Sequence, residues 1–134
     1  MKDVAQAVIE FNRDLLGIQP RPISPLSSDE FSHLSKAFSE EFGTEFREAF
    51  DQEDVIKMVD SIIDGMYFAI GGLYKMGLDA DQIEACFLAI HNANMSKVAG
   101  KVARRAVGNV PDAIKPENWI SPELEIAKIL GLSE

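Results

Sequence analysis

Five acidic residues are spaced so that two helices can each present carboxylates on one side. The segment EFGTEFREA carries Glu41, Glu45 and Glu48, and the segment DSIID carries Asp60 and Asp64. Residues four apart on an α-helix have Cβ atoms about 5–6 Å from each other, so like charges at that spacing repel weakly. Because hard divalent cations prefer oxygen ligands, two facing groups of carboxylates predict a site for Mg²⁺ or Mn²⁺.

The alternative interpretation of these acids is solvated helix surface. That alternative stays open for the three glutamates, since acidic side chains on helices most often face water. It is weaker for the two aspartates, because they interrupt a helix that is apolar on nearly all sides. A carboxylate in such surroundings is costly unless it is paired, protonated or bound to a metal ion.

The segment HNANMSK forms a second polar group, at the start of a strip of basic residues. His91, Asn94 and Lys97 follow one another at steps of three, so an amide and an ammonium group fall near one helix face and suit a phosphate group. A single histidine in a helix is more often a partly buried structural residue than a ligand. The strip SKVAGKVARRA contains no acid, and its cations are Lys97, Lys101, Arg104 and Arg105.

Apolar residues recur at helical spacing along most of the chain and predict an all-α protein. The segment 17–29 contains three of the six prolines and is expected to be an extended loop. No run alternates at period two, so no strand is expected. The expected helices cover about 2–16, 28–50, 52–76, 79–97 and 122–131.

The first four of these helices are expected to form a four-helix core. The third is apolar on nearly all sides, which places it at the centre of the bundle. Gly77 is expected to end it, and Asp79 with Gln82 forms a capping-box pattern for the fourth helix. The residues expected to face the core are Phe31, Leu34, Phe38, Phe42, Phe46 and Phe50 on the second helix and Ile83, Phe87, Ile90 and Ala93 on the fourth.

Composition limits the class of protein. The 134 residues, 46% of them hydrophobic, suit a single domain over 1–134. A net charge of −9 argues against a nucleic-acid polymer as partner. No apolar run is long enough to cross a membrane, and no leader opens the chain, so a cytoplasmic protein is expected. The single cysteine, Cys86, cannot form an internal disulfide and is expected to be a small core residue.

Taken together, the segments resemble the all-α nucleoside triphosphate pyrophosphohydrolases, the MazG-like group that includes phosphoribosyl-ATP pyrophosphohydrolase, and specifically its phage-type branch. The likeness runs through VIEFN, EFGTEFREA, VDSIIDGMYFAIGGLYKMGLD, AIHNANMSK and KPENW in that order. Better-known members carry EExxE followed by ExxD. Here Phe42 stands at the second glutamate of EExxE and Ser61 at the glutamate of ExxD, and Asp60 is the expected replacement ligand.

The resemblance implies hydrolysis of a (deoxy)nucleoside triphosphate between its α and β phosphates, giving a monophosphate and pyrophosphate, in control of nucleotide pools. Guanine nucleotides are one possible substrate class of the phage-type members. A homodimer or a tetramer is implied, and the host cytoplasm is the location if the protein is phage-encoded.

Roles for individual residues follow from the same resemblance. It implies metal binding by Glu41, Glu45, Asp60 and Asp64, with Mg²⁺ as the ion and Mn²⁺ as a substitute. Glu48 would be a further metal ligand or the base, and Glu48 or Glu45 would take the proton from the attacking water. Phe11 and Asn12 would contact base or sugar. The substrate phosphates would be bound by Asn94, Lys97, Lys101, Arg104 and Lys115.

Two other functions stay open. One is phosphoribosyl-ATP hydrolysis in histidine biosynthesis, which keeps the reaction and changes the substrate. The other is a non-catalytic helical interaction module, whose acids would be surface charge alone.

Overall fold

The computed structural model describes residues 1–132, which are mostly helical. The chain divides into two compact units, Met1–Ile83 and Glu84–Glu134. The single domain expected from the length stays a prediction. Of the described helices, none is long and apolar enough to cross a membrane.

The first unit consists of three helical segments and the start of a fourth. Helix α1 covers Lys2–Glu10 and continues as the π-helical segment π1, Phe11–Leu15. Helix α2, Ser28–Phe38, continues through the π-helical segment π2, Ser39–Glu45, into α3, Phe46–Asp51. Helix α4 covers Val55–Lys75, and α5 covers Ala80–Met95. The helices and the proline-rich loop expected from the sequence are therefore present.

Side chains at the start of α2 and of α5 fix where these two helices begin. The Ser27 hydroxyl accepts a hydrogen bond from the Glu30 backbone N–H at 3.2 Å, and the Glu30 carboxylate accepts from the Ser27 N–H at 2.8 Å. Asp79 and Gln82 form the same reciprocal pair at the start of α5, as their spacing predicted. Each pair satisfies two backbone donors that a helix end leaves without partners.

Two glycines on α4 let the α2–π2 segment approach closely. A Cβ atom at Gly65 would overlap the ring of Phe42, and one at Gly72 would lie 2.8 Å from Leu34 Cδ2. Gly65 and Gly72 are two helical turns apart, so they lie on the same side of α4. This contact brings π2, which carries the glutamates, against the helix that carries Asp60 and Asp64.

The expected phenylalanine stripe on the second helix is wrong in part. Phe31, Phe42 and Phe50 are exposed, and the buried residues of this segment are Ala37, Glu41 and Ala49. For Phe42 and Phe50 the π-helical turn is the cause, because it shifts the helical register after Phe38. One glutamate therefore faces the interior where an apolar side chain was expected. Phe31 lies before this turn, and its exposure has no such cause.

Helix α4 is also less enclosed than its composition predicted. Val55, Ile56 and Val59 are all more than half exposed in the single chain. Phe87 and Ile90 on α5, expected to point inward, are exposed as well. A helix that is apolar all round is usually buried on all sides. In the single chain, α4 is buried on part of its surface only.

The second unit contains two short strands that the sequence did not predict. Strand β1, Val98–Gly100, pairs antiparallel with β2, Asp112–Ile114, and Val98 lies opposite Ile114. A single 3₁₀ turn covers Ala103–Arg105, and helix α6 covers Glu123–Ile129 with Pro122 before its first residue. Three-residue strands are too short for an alternating pattern to show in the sequence.

Candidate active site

Three glutamates of π2 form a cluster of carboxylates. One carboxylate oxygen from each of Glu40, Glu41 and Glu45 lies within 4.8 Å of those of the other two. In an α-helix, residues five apart point about 140° away from each other around the axis. A π-helix hydrogen-bonds residue i to residue i+5, so Glu40 and Glu45 come to the same side. Local π-helical geometry thus adds Glu40, which the sequence analysis missed, to the cluster.

Glu41 is the buried member of this cluster. Its residue exposure is 7%, and its Oε2 atom is buried without a hydrogen-bond partner among the described residues. Burial is the main cause that raises the pKa of Glu41 from 4.5 to about 7. The neighbouring Glu45 carboxyl adds to this through a hydrogen bond and through its charge, and the charges of Asp64 and Glu40 contribute further. A cation beside the Glu41 carboxylate would stabilise its charged form, because the carboxylate is buried among like charges.

The two aspartates of α4 are exposed, which corrects the expectation that they are enclosed by apolar residues. Even so, the pKa of Asp64 is raised, first by partial burial of its carboxyl and then by the charges of Asp60 and Glu45. Asp64 therefore shares an electrostatic environment with the glutamate cluster. The charge of Asp60 belongs to the same environment, because it raises the pKa of Asp64.

A cavity of about 520 Å³ begins at these acids, with Glu41 and Asp64 in its wall. Two edge-to-face aromatic pairs form other parts of the wall. The rings of Phe11 and Tyr67 have centroids 5.3 Å apart, and those of His33 and Phe68 are 6.1 Å apart. Lining by aromatic side chains with a few polar groups, at this volume, is typical of sites for small organic ligands.

The two residues expected to contact base or sugar both line this cavity. Phe11 belongs to the aromatic wall, and Asn12 is 4% exposed and donates from Nδ2 to the Val8 carbonyl at 2.9 Å. Both lie at the start of π1. Tyr67, His33 and Phe68 were not singled out from the sequence, because aromatic residues at these spacings are more often core residues than ligand contacts.

Glu48 lies outside the carboxylate cluster, and Glu40 takes the third place in it. Glu48 is exposed on α3, one turn after Glu45. Ser61, at the position of the missing family glutamate, is 2% exposed, and its hydroxyl donates to the Met58 carbonyl of its own helix at 3.1 Å. The third carboxylate beside Glu41 and Glu45 is thus that of Glu40.

In the second unit, the structure brings together two of the expected phosphate contacts. The ammonium groups of Lys97 and Lys115 lie 5.1 and 4.8 Å from the ring centroid of Trp119. Lys101 donates to the Gly108 carbonyl at 2.8 Å instead. The other candidates of this unit, Asn94, Arg104 and His91, are exposed.

The acid cluster has the chemistry of a divalent-metal site. Its donors are all carboxylate oxygens, which suit Mg²⁺ or Mn²⁺ better than softer metals. The partnerless, buried Oε2 of Glu41 is the observation that makes a cation fit here. The residues that would hold such an ion are Glu40, Glu41, Glu45 and Asp64. The charge of Asp60 raises the pKa of Asp64, so Asp60 also influences this site.

The helical fold and the acid cluster suit an enzyme of the nucleotide pyrophosphohydrolase type, and comparison with known families agrees. A sequence model of the phosphoribosyl-ATP pyrophosphohydrolase family matches residues 8–94, and the chain belongs to this family, within the MazG-like superfamily expected from the sequence. The matched part includes the acid cluster and the cavity wall, and it ends before Lys97 and Lys115. No curated protein matches the chain.

We expect Glu41→Gln to stabilise the metal-free protein at alkaline pH. Because folding raises the pKa of Glu41, the charged carboxylate opposes folding; its penalty is absent below pH 4.5, grows up to about pH 7 and is complete above it. The variant should therefore gain about 1–3 kcal/mol of unfolding free energy at pH 8 and little at pH 4.5. Urea unfolding across this range, with chelator present, measures the difference.

The matched control for that experiment is Glu48→Gln, which removes an exposed carboxylate outside the cluster. Its unfolding free energy should stay within about 0.5 kcal/mol of the parent at every pH. If both variants changed the unfolding free energy by the same amount at pH 8, the burial of Glu41 would be contradicted.

Proposed function

We propose that the protein hydrolyses (deoxy)nucleoside triphosphates between the α and β phosphates, releasing a nucleoside monophosphate and pyrophosphate. The observation that carries this proposal is the acid cluster at the wall of an aromatic cavity large enough for a nucleoside. Family membership supports the reaction type. The sequence segments NMSK and KPENW support the phage-type branch and, with it, a triphosphate substrate.

In this proposal the aromatic wall binds the base and the carboxylates serve the phosphates. A ring stacked against Phe11 or Tyr67 would gain apolar contact, and the Asn12 amide lies beside it to contact base or sugar. A divalent ion, when bound, would offset the charge between carboxylates and triphosphate and stabilise the leaving pyrophosphate. Without such an ion, Glu41 and Asp64 would repel the substrate.

The carboxylates also supply the proton acceptor. Water attacks phosphorus, the bond to the bridging oxygen between the α and β phosphates breaks, and one proton of the water passes to a side chain. Glu45, within the cluster, and Glu48, one turn further on, are the two proposed bases. Asn94, Lys97 and Lys115 are the proposed phosphate contacts of the second unit, with Lys101 and Arg104 as further cations.

A second candidate is phosphoribosyl-ATP as substrate, with the same bond broken. The description of the matching family favours it. That substrate carries an additional phosphoribosyl group on its base, so it needs a further cation, and Lys75 lines the cavity. The non-catalytic module receives no comparable support.

Product analysis by phosphorus NMR decides between these functions. We expect a monophosphate and pyrophosphate from at least one ribo- or deoxyribonucleoside triphosphate with Mg²⁺ or Mn²⁺, and no turnover with chelator. Asp64→Asn should lower kcat at least about 100-fold, since it removes one carboxylate from the metal site. Turnover of phosphoribosyl-ATP alone would select the second candidate, and full activity of Asp64→Asn would refute the metal assignment.

We further propose that two copies of the chain pair through the exposed apolar side of α4. Ile56 is 81% exposed and Val55 71%, and both lie on the first turn of this helix. Patches of this kind mark interaction surfaces, and a two-fold pairing would cover the same residues on both copies. A homodimer, or a tetramer built from it, is the proposed assembly.

Light scattering after size exclusion tests the assembly. The parent should have at least twice the mass of one 14.8 kDa chain, and Ile56→Glu should reduce it to one chain, because a charge would be buried at the interface. Val110→Glu, which replaces a 65% exposed residue of the other unit, is the control and should leave the mass unchanged. A monomeric parent would refute the proposal.

A further inference from the structure

The two short strands place two lysines opposite each other. Val98 of β1 pairs with Ile114 of β2, and Lys97 and Lys115 occupy the next position on each strand's outer end. In an antiparallel ladder, residues at the same register position face one another across the strands. Like charges directly opposite on a ladder are destabilising. The register therefore places these two cationic residues opposite each other.

Trp119 is the side chain that both ammonium groups contact. Their distances to its ring centroid, 5.1 Å for Lys97 and 4.8 Å for Lys115, are within the range of cation–π attraction. The indole Nε1–H donates to the carbonyl of Ala93 on α5 at 2.7 Å, and Trp119 is half-buried. One ring, fixed to a helix, thus restricts two long and otherwise flexible side chains.

The nearby carboxylate does not neutralise this pair. Asp112, whose pKa is lowered mainly by its hydrogen bond from Arg105 and to a smaller extent by the charge of Lys97, accepts that bond from Arg105 Nε at 2.9 Å. Its charge is therefore largely matched by one guanidinium group. Among residues 1–132, no described ion pair includes Lys97 or Lys115, so both ammonium groups can take an anionic ligand.

We propose that Trp119 is a positioning residue that holds Lys97 and Lys115 as one binding site for the phosphate groups of the substrate or of the pyrophosphate product. Pyrophosphate has several charged oxygens and can bridge two cations, which relieves their repulsion. An ammonium group on an aromatic face still has N–H donors free for phosphate oxygens. This inference rests on the proposed function for its biological meaning, but the binding site can be tested without turnover.

The first test uses the fluorescence of Trp119, which is the single tryptophan of the chain. Inorganic pyrophosphate is titrated into the full-length protein with chelator present, so that no metal ion can recruit it to the acid cluster. We expect a saturable change in emission, and a Kd raised at least about tenfold in Lys115→Gln and in Lys97→Gln. Lys128→Gln removes an exposed cation of α6 and should bind like the parent.

The second test replaces the ring. Trp119→Leu should raise the Kd for pyrophosphate in calorimetry, and the KM for the best triphosphate, about tenfold, with kcat within about twofold. Trp119→Phe keeps an aromatic face while losing the hydrogen bond to Ala93, and should stay within about threefold of the parent. Equal affinity of the parent and Trp119→Leu, or a loss confined to kcat, would overturn the inference.

The outcomes separate the two proposals. A parent that binds pyrophosphate at Trp119 but hydrolyses no nucleotide would overturn the proposed function and support this site. A parent that hydrolyses triphosphates but shows no fluorescence response to pyrophosphate would overturn this inference alone. If Trp119→Leu does not fold, the two lysine variants decide the question, because they leave the ring in place.

Discussion

The buried carboxyl of Glu41 is the constraint on which the site depends. It is enclosed by protein, crowded by Glu45, Glu40 and Asp64, and left with an oxygen that no described group satisfies. Burying a carboxylate among like charges opposes folding, so the arrangement is expected to have a function that compensates for this cost. A divalent cation meets that requirement, since it supplies positive charge beside a carboxyl whose pKa is shifted by burial and by other acids.

The backbone produces this crowding through two π-helical segments. Both π1 and π2 carry site residues, Asn12 on one and the three clustered glutamates on the other. A π-helical turn is less stable than an α-helical one and occurs frequently at functional sites. In π2 it turns Glu41 inward and aligns Glu40 with Glu45. Gly65 then lets this segment pack directly on α4, which brings the cluster within electrostatic reach of Asp64.

Much of this architecture was predictable from local sequence. The capping pairs, the prolines of the loop and the apolar periodicity predicted the helices. The matching family confirms the resemblance to the MazG-like superfamily, and the phage-type branch stays a prediction. Which face of the second helix is buried was not predictable, because helical spacing assumes 3.6 residues per turn and π2 departs from it. For that reason the sequence analysis missed Glu40, whose carboxylate lies beside those of Glu41 and Glu45. The exposure of Ile56 was not predictable either, because an apolar helix reads as buried whatever covers it. The contact of Lys97 and Lys115 with one ring depends on strands too short to recognise in the sequence.

The most direct test of the metal site is anomalous diffraction from crystals grown with Mn²⁺. The account predicts a manganese peak coordinated by Glu41 together with Glu45, Glu40 or Asp64, and loss of that peak in a Glu41→Gln crystal grown the same way. A peak at Glu48, away from Glu41, or full occupancy in the Glu41→Gln crystal would contradict the account. Either result would show directly whether the buried carboxyl is where the ion binds.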